Sequence, residues 1–190
     1  MGKKRTDGTM KGQFFLVGAL MLISAFFIGF ASVREAFVIT PDRDLSFLSD
    51  NAVREYPRAL NLGLNSTGGL AALENFSRFL NASLSERYVD FQALWVQCDN
   101  VSSDVNVTVG NWLHATESVT LSIGGTDKTL LVAANAANYT SFTSPGASFN
   151  MAINFSQSNL SVAWRREKAS LYVYTNFSRD DNAVVKEDDF

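Results

Sequence analysis

The sequence predicts an α+β chain: an N-terminal transmembrane or assembly helix, short amphipathic helices, then an antiparallel β-sandwich-like outer domain. Three observations carry that expectation. An uncharged stretch runs from Gly12 to Val33, and apolar residues then recur at helical spacing to about residue 87. From residue 88 the period falls to two, the spacing of a strand with one buried face.

Residues 1–12 form a basic leader in which Lys3, Lys4, Arg5 and Lys11 stand against Asp7 alone. Residues 13–33 follow without a charge. As a helix these 21 residues cover roughly 30 Å, the hydrocarbon thickness of a bilayer. Phe14, Phe15, Leu16, Val17, Leu20, Leu22, Ile23, Phe26, Phe27 and Ile28 supply most of its apolar surface. With the basic groups ahead of it, the positive-inside bias leaves the N-terminus cytoplasmic and everything after about residue 34 outside, next to the membrane. Three fates are open to the segment. It remains as an uncleaved anchor, it is removed after Gly29-Phe30-Ala31, or it is cut ahead of the apolar run between Gly12 and Gln13.

Residues 34–87 read as a helical stalk and packing helices. Leu45, Leu48, Ala52 and Tyr56 form one stripe, expected to stop at or before Pro57, with a loop over Asn61–Asn65. Leu73, Phe76, Leu80 and Leu84 form a second stripe over about 69–86, expected to pack on a sheet of the same chain.

Residues 88–178 read as the β-rich outer domain, with eight strands at 89–97, 104–112, 117–123, 128–134, 138–143, 148–155, 159–165 and 169–177. Val105, Val107 and Val109 alternate with polar residues, as do Val119, Leu121 and Ile123. Tyr172 and Tyr174 alternate with Leu171 and Val173 and are placed to cover a second face. Turns fall at Gly124–Asp127, Ser144-Pro145-Gly146 and Gln157-Ser158, and the run Arg165-Arg166-Glu167-Lys168 reads as a charged hairpin tip. Such a series fits a sandwich or an open barrel. Residues 179–190 read as a charged, frayed acidic tail.

Composition narrows the function. The formal charge is −3, and because the leader is basic the remainder is more acidic still. Only Lys128, Lys168 and Lys186 follow Lys11, so no nucleic-acid-binding face is expected. Cys98 is the single cysteine and excludes an internal disulfide; a buried small apolar role is expected of it. His114 is the single histidine, which excludes a multi-histidine metal site. Neither a His114-based triad nor a Cys98–His114 pair has a supporting motif. Gly124–Thr129 lacks the spacing and the following helix of a phosphate loop, and Asp99–Asp104 lacks the glycine and distal glutamate of a calcium loop. Trp95, Trp112 and Trp164 read as core before they read as a sugar platform. No catalytic residue, metal or cofactor is expected.

What the outer part does carry is Asn-x-Ser/Thr acceptors. Nine occur, at Asn65, Asn75, Asn81, Asn100, Asn106, Asn138, Asn154, Asn159 and Asn176, all downstream of the apolar segment. From 15 Asn and 32 Ser plus Thr in 190 residues, chance gives about 2.5. N-linked glycans are therefore expected, and they agree with the outward topology.

The run Lys11-Gly12-Gln13, followed at once by unbroken apolar sequence, resembles the class III signal peptide of archaeal type IV pilin-like proteins. The match covers about residues 11–33. The resemblance implies cleavage after Gly12 by a prepilin-type peptidase, a mature start at Gln13, and an apolar helix that anchors the chain or packs against copies of itself or other pilin-like subunits in a surface filament. Val17 stands where many members carry Glu. The alternative expectation is a non-polymerising, single-pass anchored glycoprotein that acts as a surface binding or adhesion module.

Overall fold

A computed structural model describes residues 41–64, 68–101, 103–165 and 170–190. The processing site and the apolar helix read from the sequence, and the tip at 166–169, lie outside the described residues. Two helices and nine strands are seen among the described residues: α1 (Pro41–Leu64), α2 (Gly69–Ser85), β1 (Asp90–Val101), β2 (Asp104–Trp112), β3 (Glu117–Ile123), β4 (Thr126–Val132), β5 (Ala136–Thr143), β6 (Ser148–Phe155), β7 (Ser158–Arg165), β8 (Ser170–Arg179) and β9 (Asn182–Asp189). Every pairing is antiparallel. One sheet has the order β5-β2-β1-β8-β9 and the other β4-β3-β6-β7.

The arrangement is three layers: helices, the five-stranded sheet, then the four-stranded sheet. The alternation read from the sequence explains it. Val105, Val107 and Val109 of β2, Leu94 and Val96 of β1, and Tyr172 and Tyr174 of β8 face the second sheet, where Val119, Leu121, Met151, Ile153 and Trp164 meet them. The opposite faces of the same strands carry Phe91, Ala93, Trp95, Trp112, Leu171, Val173 and Phe177, and these pack under the helices. The five-stranded sheet is thus buried on both sides at its centre. The expected second face for β8 is present.

Both helical stripes pack on this sheet, α1 over β8 and β9 and α2 over β1 and β2. Leu45, Ala52, Tyr56, Leu60, Leu73 and Leu84 are buried there, with Leu48, Phe76 and Leu80 partly so. Inside the layer the Tyr56 hydroxyl and Ser77 Oγ are 3.0 Å apart, and Ser77 Oγ also donates to the Leu73 carbonyl at 2.9 Å. This pair closes the polar ends of two otherwise apolar stripes.

Four sequence expectations need correction. The first helix does not stop at Pro57 but continues through it to Leu64, so Asn61–Leu64 is helical, not loop. Pro57 removes one helical N–H, yet Tyr56 and Leu60 on either side are both buried on the sheet, and that packing outweighs the lost bond. The acidic tail is not frayed: residues 182–189 form β9, paired along its length with β8. Backbone pairing on one side, burial of Val184 against the helix layer, and the 2.8 Å Lys186–Asp50 ion pair hold a strand whose composition argues against one. The β-domain accordingly runs beyond residue 178. Finally, the β6–β7 turn is Ser156-Gln157, one residue earlier than expected, because Phe155 pairs with Ser158.

The expected glycine turn is tight. Ile123 pairs with Thr126, so Gly124 and Gly125, with φ of +57° and +79°, make a two-residue hairpin turn. Gly110 has a different task. It pairs with Trp95, and a Cβ built on it would lie 2.1 Å from Trp95 Cε2. The Trp95 ring is held from another side by Trp112, with ring centroids 6.0 Å apart. Gly110→Ala is therefore expected to destabilise the fold by about 3 kcal/mol, the upper part of the overpacking range. Denaturant unfolding measures the loss, and near-ultraviolet circular dichroism reports the displaced indole; a wild-type midpoint would contradict the packing.

Candidate functional site

The sequence-read residues fall into three groups. Gly12, Gln13 and the apolar helix lie outside the described residues, as does Asn65. The remaining acceptors sit on regular elements: Asn75 and Asn81 on α2, Asn100 on β1, Asn106 on β2, Asn138 on β5, Asn154 on β6, Asn159 on β7 and Asn176 on β8. Asn75, Asn106, Asn138, Asn154 and Asn159 are exposed, whereas Asn81 and Asn176 are half-buried. Asn154 and Asn159 pair directly across the β6–β7 hairpin, on the solvent face of the four-stranded sheet. Thr120 and Thr129 continue that row on β3 and β4, their hydroxyls 3.0 Å apart. The middle of this face is made of small, uncharged polar side chains, with Asp127 and the exposed Leu131 toward its β4 edge.

The third group is the residues weighed for chemistry. Trp95, Trp112 and Trp164 are all in the core, so none offers an open sugar platform. Cys98 is buried between the sheets; burial, and secondarily the Asp99 charge, push its thiol pKa well above the ordinary value. It therefore stays a neutral thiol at neutral pH. His114 follows β2 with φ +68° and lies 3.5 Å from Asp90, half-exposed. Register separates it from Cys98, which pairs with Val107, so the two form no dyad. Asp104 begins β2 opposite Val101, making the Asp99–Asp104 run a hairpin end. Among the described residues no cluster of His, Cys, Asp and Glu is suited to hold a metal.

Sequence reasoning missed two features. One is Asn111, fully buried at the end of β2. Its Nδ2 donates to the Ala115 and Val132 carbonyls at 2.8 and 2.9 Å, and its Oδ1 accepts from the Leu113 N–H at 2.8 Å. One side chain thereby ties the β2–β3 crossing to the end of β4, joining the sheets. A polar residue ending a strand gives no signal of such a role in sequence.

The other is the flank of the sandwich beside β7. On the opposite flank the chain passes straight from β4 to β5, and side chains close the gap. Asn138 Nδ2 donates to the Leu131 carbonyl at 3.1 Å, and Lys128 Nζ donates to the Ser141 carbonyl above the Phe142 ring. Beside β7 the closure is slighter: Tyr172 of β8 lies near Ser158 of β7, and β7 and β8 touch only briefly. Five strands lie over four, and among the described residues no strand of the second sheet packs closely on β9. Two cavities line the gap. One of about 190 Å³ lies among Val162–Arg165, Ser170, Leu171, Asp189 and Phe190. One of about 240 Å³ lies among Leu160–Val162, Tyr172 and Glu187–Asp189. A third, of about 360 Å³, lies at Ser148–Asn150 and Ala163–Arg165.

Two buried polar side chains border this flank. Trp164 is 2 % exposed, and its Nε1 finds no acceptor among the described residues. The Tyr172 hydroxyl is buried beside Ser158 and Glu187. Burial first, and the Glu187 charge second, raise the Tyr172 pKa well above that of an ordinary phenol and raise that of Tyr174 as well. Both phenols stay neutral donors.

No protein-family model matches the chain, and comparison with curated proteins finds no match. Among the described residues no helix is long and apolar enough to cross a membrane.

Proposed function

We propose that the chain is a type IV pilin-like structural protein of the cell surface. In this reading it is anchored or assembled through residues 13–33 and presents the three-layer α+β domain, carrying N-linked glycans, on the outer side. The observation that carries the reading is the junction Lys11-Gly12-Gln13 with 21 uncharged residues following, and all nine acceptors downstream of it. Exposure of five acceptors on strand and helix surfaces supports it, since sugars there leave the two cores undisturbed. The partners implied are the membrane, a prepilin-type peptidase, glycans, and copies of the chain or related subunits. Catalysis is no part of this role.

Val17 favours a second reading. Without a carboxylate near the mature N-terminus, the helix remains in lipid, and the chain acts as a single-pass anchored glycoprotein with a binding or adhesion domain. N-terminal sequencing of the mature protein, followed by electron microscopy of material sheared from cells, separates the two. A start at Gln13 with the chain in filaments is the expected result. A start at Gln13 with the chain only in membranes supports the anchored module, and an intact leader or a start near Ser32 contradicts the pilin-like route.

A further inference from the structure

We propose that the free edge of β7 is a docking site for an extended segment of another polypeptide, one that adds as a strand and turns basic side chains toward β9. This rests on the described domain alone and does not depend on the membrane topology.

The first ground is a vacant strand position. β9 is the edge strand of the five-stranded sheet, beyond β8, and among the described residues no strand of the four-stranded sheet packs closely on it. That face presents Val185, 51 % exposed, followed by the exposed carboxylates Glu187 and Asp189. The cavities of about 190 and 240 Å³ lie end to end along β7 in this same gap. A strand beside β7 would cover Val185 and fill both.

The second ground is that, among the described residues, this edge is the least guarded of the four sheet edges. Strand edges are normally blunted by charges, inward-pointing lysines or covering groups. β4 and β5 lean on each other through Lys128 and Asn138. β9 ends in Lys186, Glu187, Asp188 and Asp189. β7 reads Ser-Asn-Leu-Ser-Val-Ala-Trp and meets its first charge only at Arg165. Eight residues at about 3.4 Å each give an edge of roughly 27 Å, long enough to hold a strand in register.

Charge names the occupant. Glu187 and Asp189 face the gap against the single described cation Arg165. An entering segment with Lys or Arg on its inner face neutralises that excess; one with carboxylates adds to it. A second copy fits less well. Its β7 already packs Leu160, Val162 and Trp164 into its own core, so pairing two β7 edges would leave the space over β9 empty.

The test uses the full-length chain in detergent and amide hydrogen exchange over residues 158–165. Three synthetic decapeptides serve as probes: alternating threonine and valine with lysine at two valine positions, its glutamate counterpart, and the lysine peptide interrupted by a central proline. The lysine peptide is expected to slow β7 exchange at least tenfold. The glutamate peptide should bind at least tenfold more weakly, and the proline peptide should give no protection. Combining Glu187→Lys with Asp189→Lys, both at exposed positions, should reverse the preference between lysine and glutamate peptides. The proposal is overturned if no peptide protects β7 at millimolar concentration, or if the edges of β4, β5 or β9 are protected instead. Concentration-dependent protection without peptide, meaning a second copy, also overturns it, as does protection in the native protein that disappears in Asn159→Gln, meaning a covering glycan.

Discussion

Gly12→Val is expected to leave the leader on the protein, so that the mature chain is heavier by residues 1–12 and nothing else. The pilin-like resemblance places the scissile bond between Gly12 and Gln13, and a β-branched side chain there removes the small residue that the peptidase of that family accepts. The downstream consequence is physical. A retained leader keeps four basic groups on the cytoplasmic end of the apolar helix, and each charge resists transfer through hydrocarbon by several kcal/mol. The helix is then locked in the bilayer, and no filament subunit can be drawn from it. Intact-mass measurement of wild type and variant decides the matter: an unchanged mass means that Gly12 is not a processing position.

Asn111→Leu is expected to destabilise the domain by about 3 kcal/mol, through loss of three buried hydrogen bonds that water cannot replace. For a chain of this size that lowers the thermal midpoint by roughly 6–12 °C. Asn111→Asp provides a check with an internal sign. The carboxylate can still accept from the Leu113 N–H, but it faces the Ala115 and Val132 carbonyls with no donor to offer. Burial and those carbonyls raise its folded-state pKa above the unfolded value of about 4. Its destabilisation is therefore smallest below about pH 4, where the acid is protonated in both states. It grows as pH rises through the folded-state pKa. Thermal unfolding of both variants at pH 4 and pH 7 tests this. A leucine variant as stable as wild type would show that Asn111 does not join the sheets.

How much of the fold was legible depended on which force built each part. The valine alternation of β2 and the apolar stripe of α2 could be read directly, because burial of one face is written in residue order. Tyr172 and Tyr174 could be read as a second face for the same reason. β9 could not, since its stability comes from backbone pairing to β8 and from Lys186 reaching Asp50, while its own side chains are mostly charged. Pro57 misled because a local penalty was weighed without the sheet beneath Tyr56 and Leu60. The Trp95–Gly110 contact and the Asn111 bridge join residues on different elements, and no single-chain period records such pairs. The acceptors were legible as a set, but their burial was not: Asn154 and Asn159 stand open side by side, whereas the Asn176 amide oxygen is enclosed. The flank beside β7 was invisible in sequence, because it is set by how sheets of five and four strands stack.

The central claim is that an apolar N-terminal segment holds the folded domain outside the membrane. It is tested most directly by labelling intact cells with a membrane-impermeant amine reagent and mapping the modified lysines. Lys128, Lys168 and Lys186 should be labelled before lysis, and on any chain that still carries the leader Lys3, Lys4 and Lys11 should not. Label reaching Lys128, Lys168 and Lys186 only after the cells are broken would contradict it.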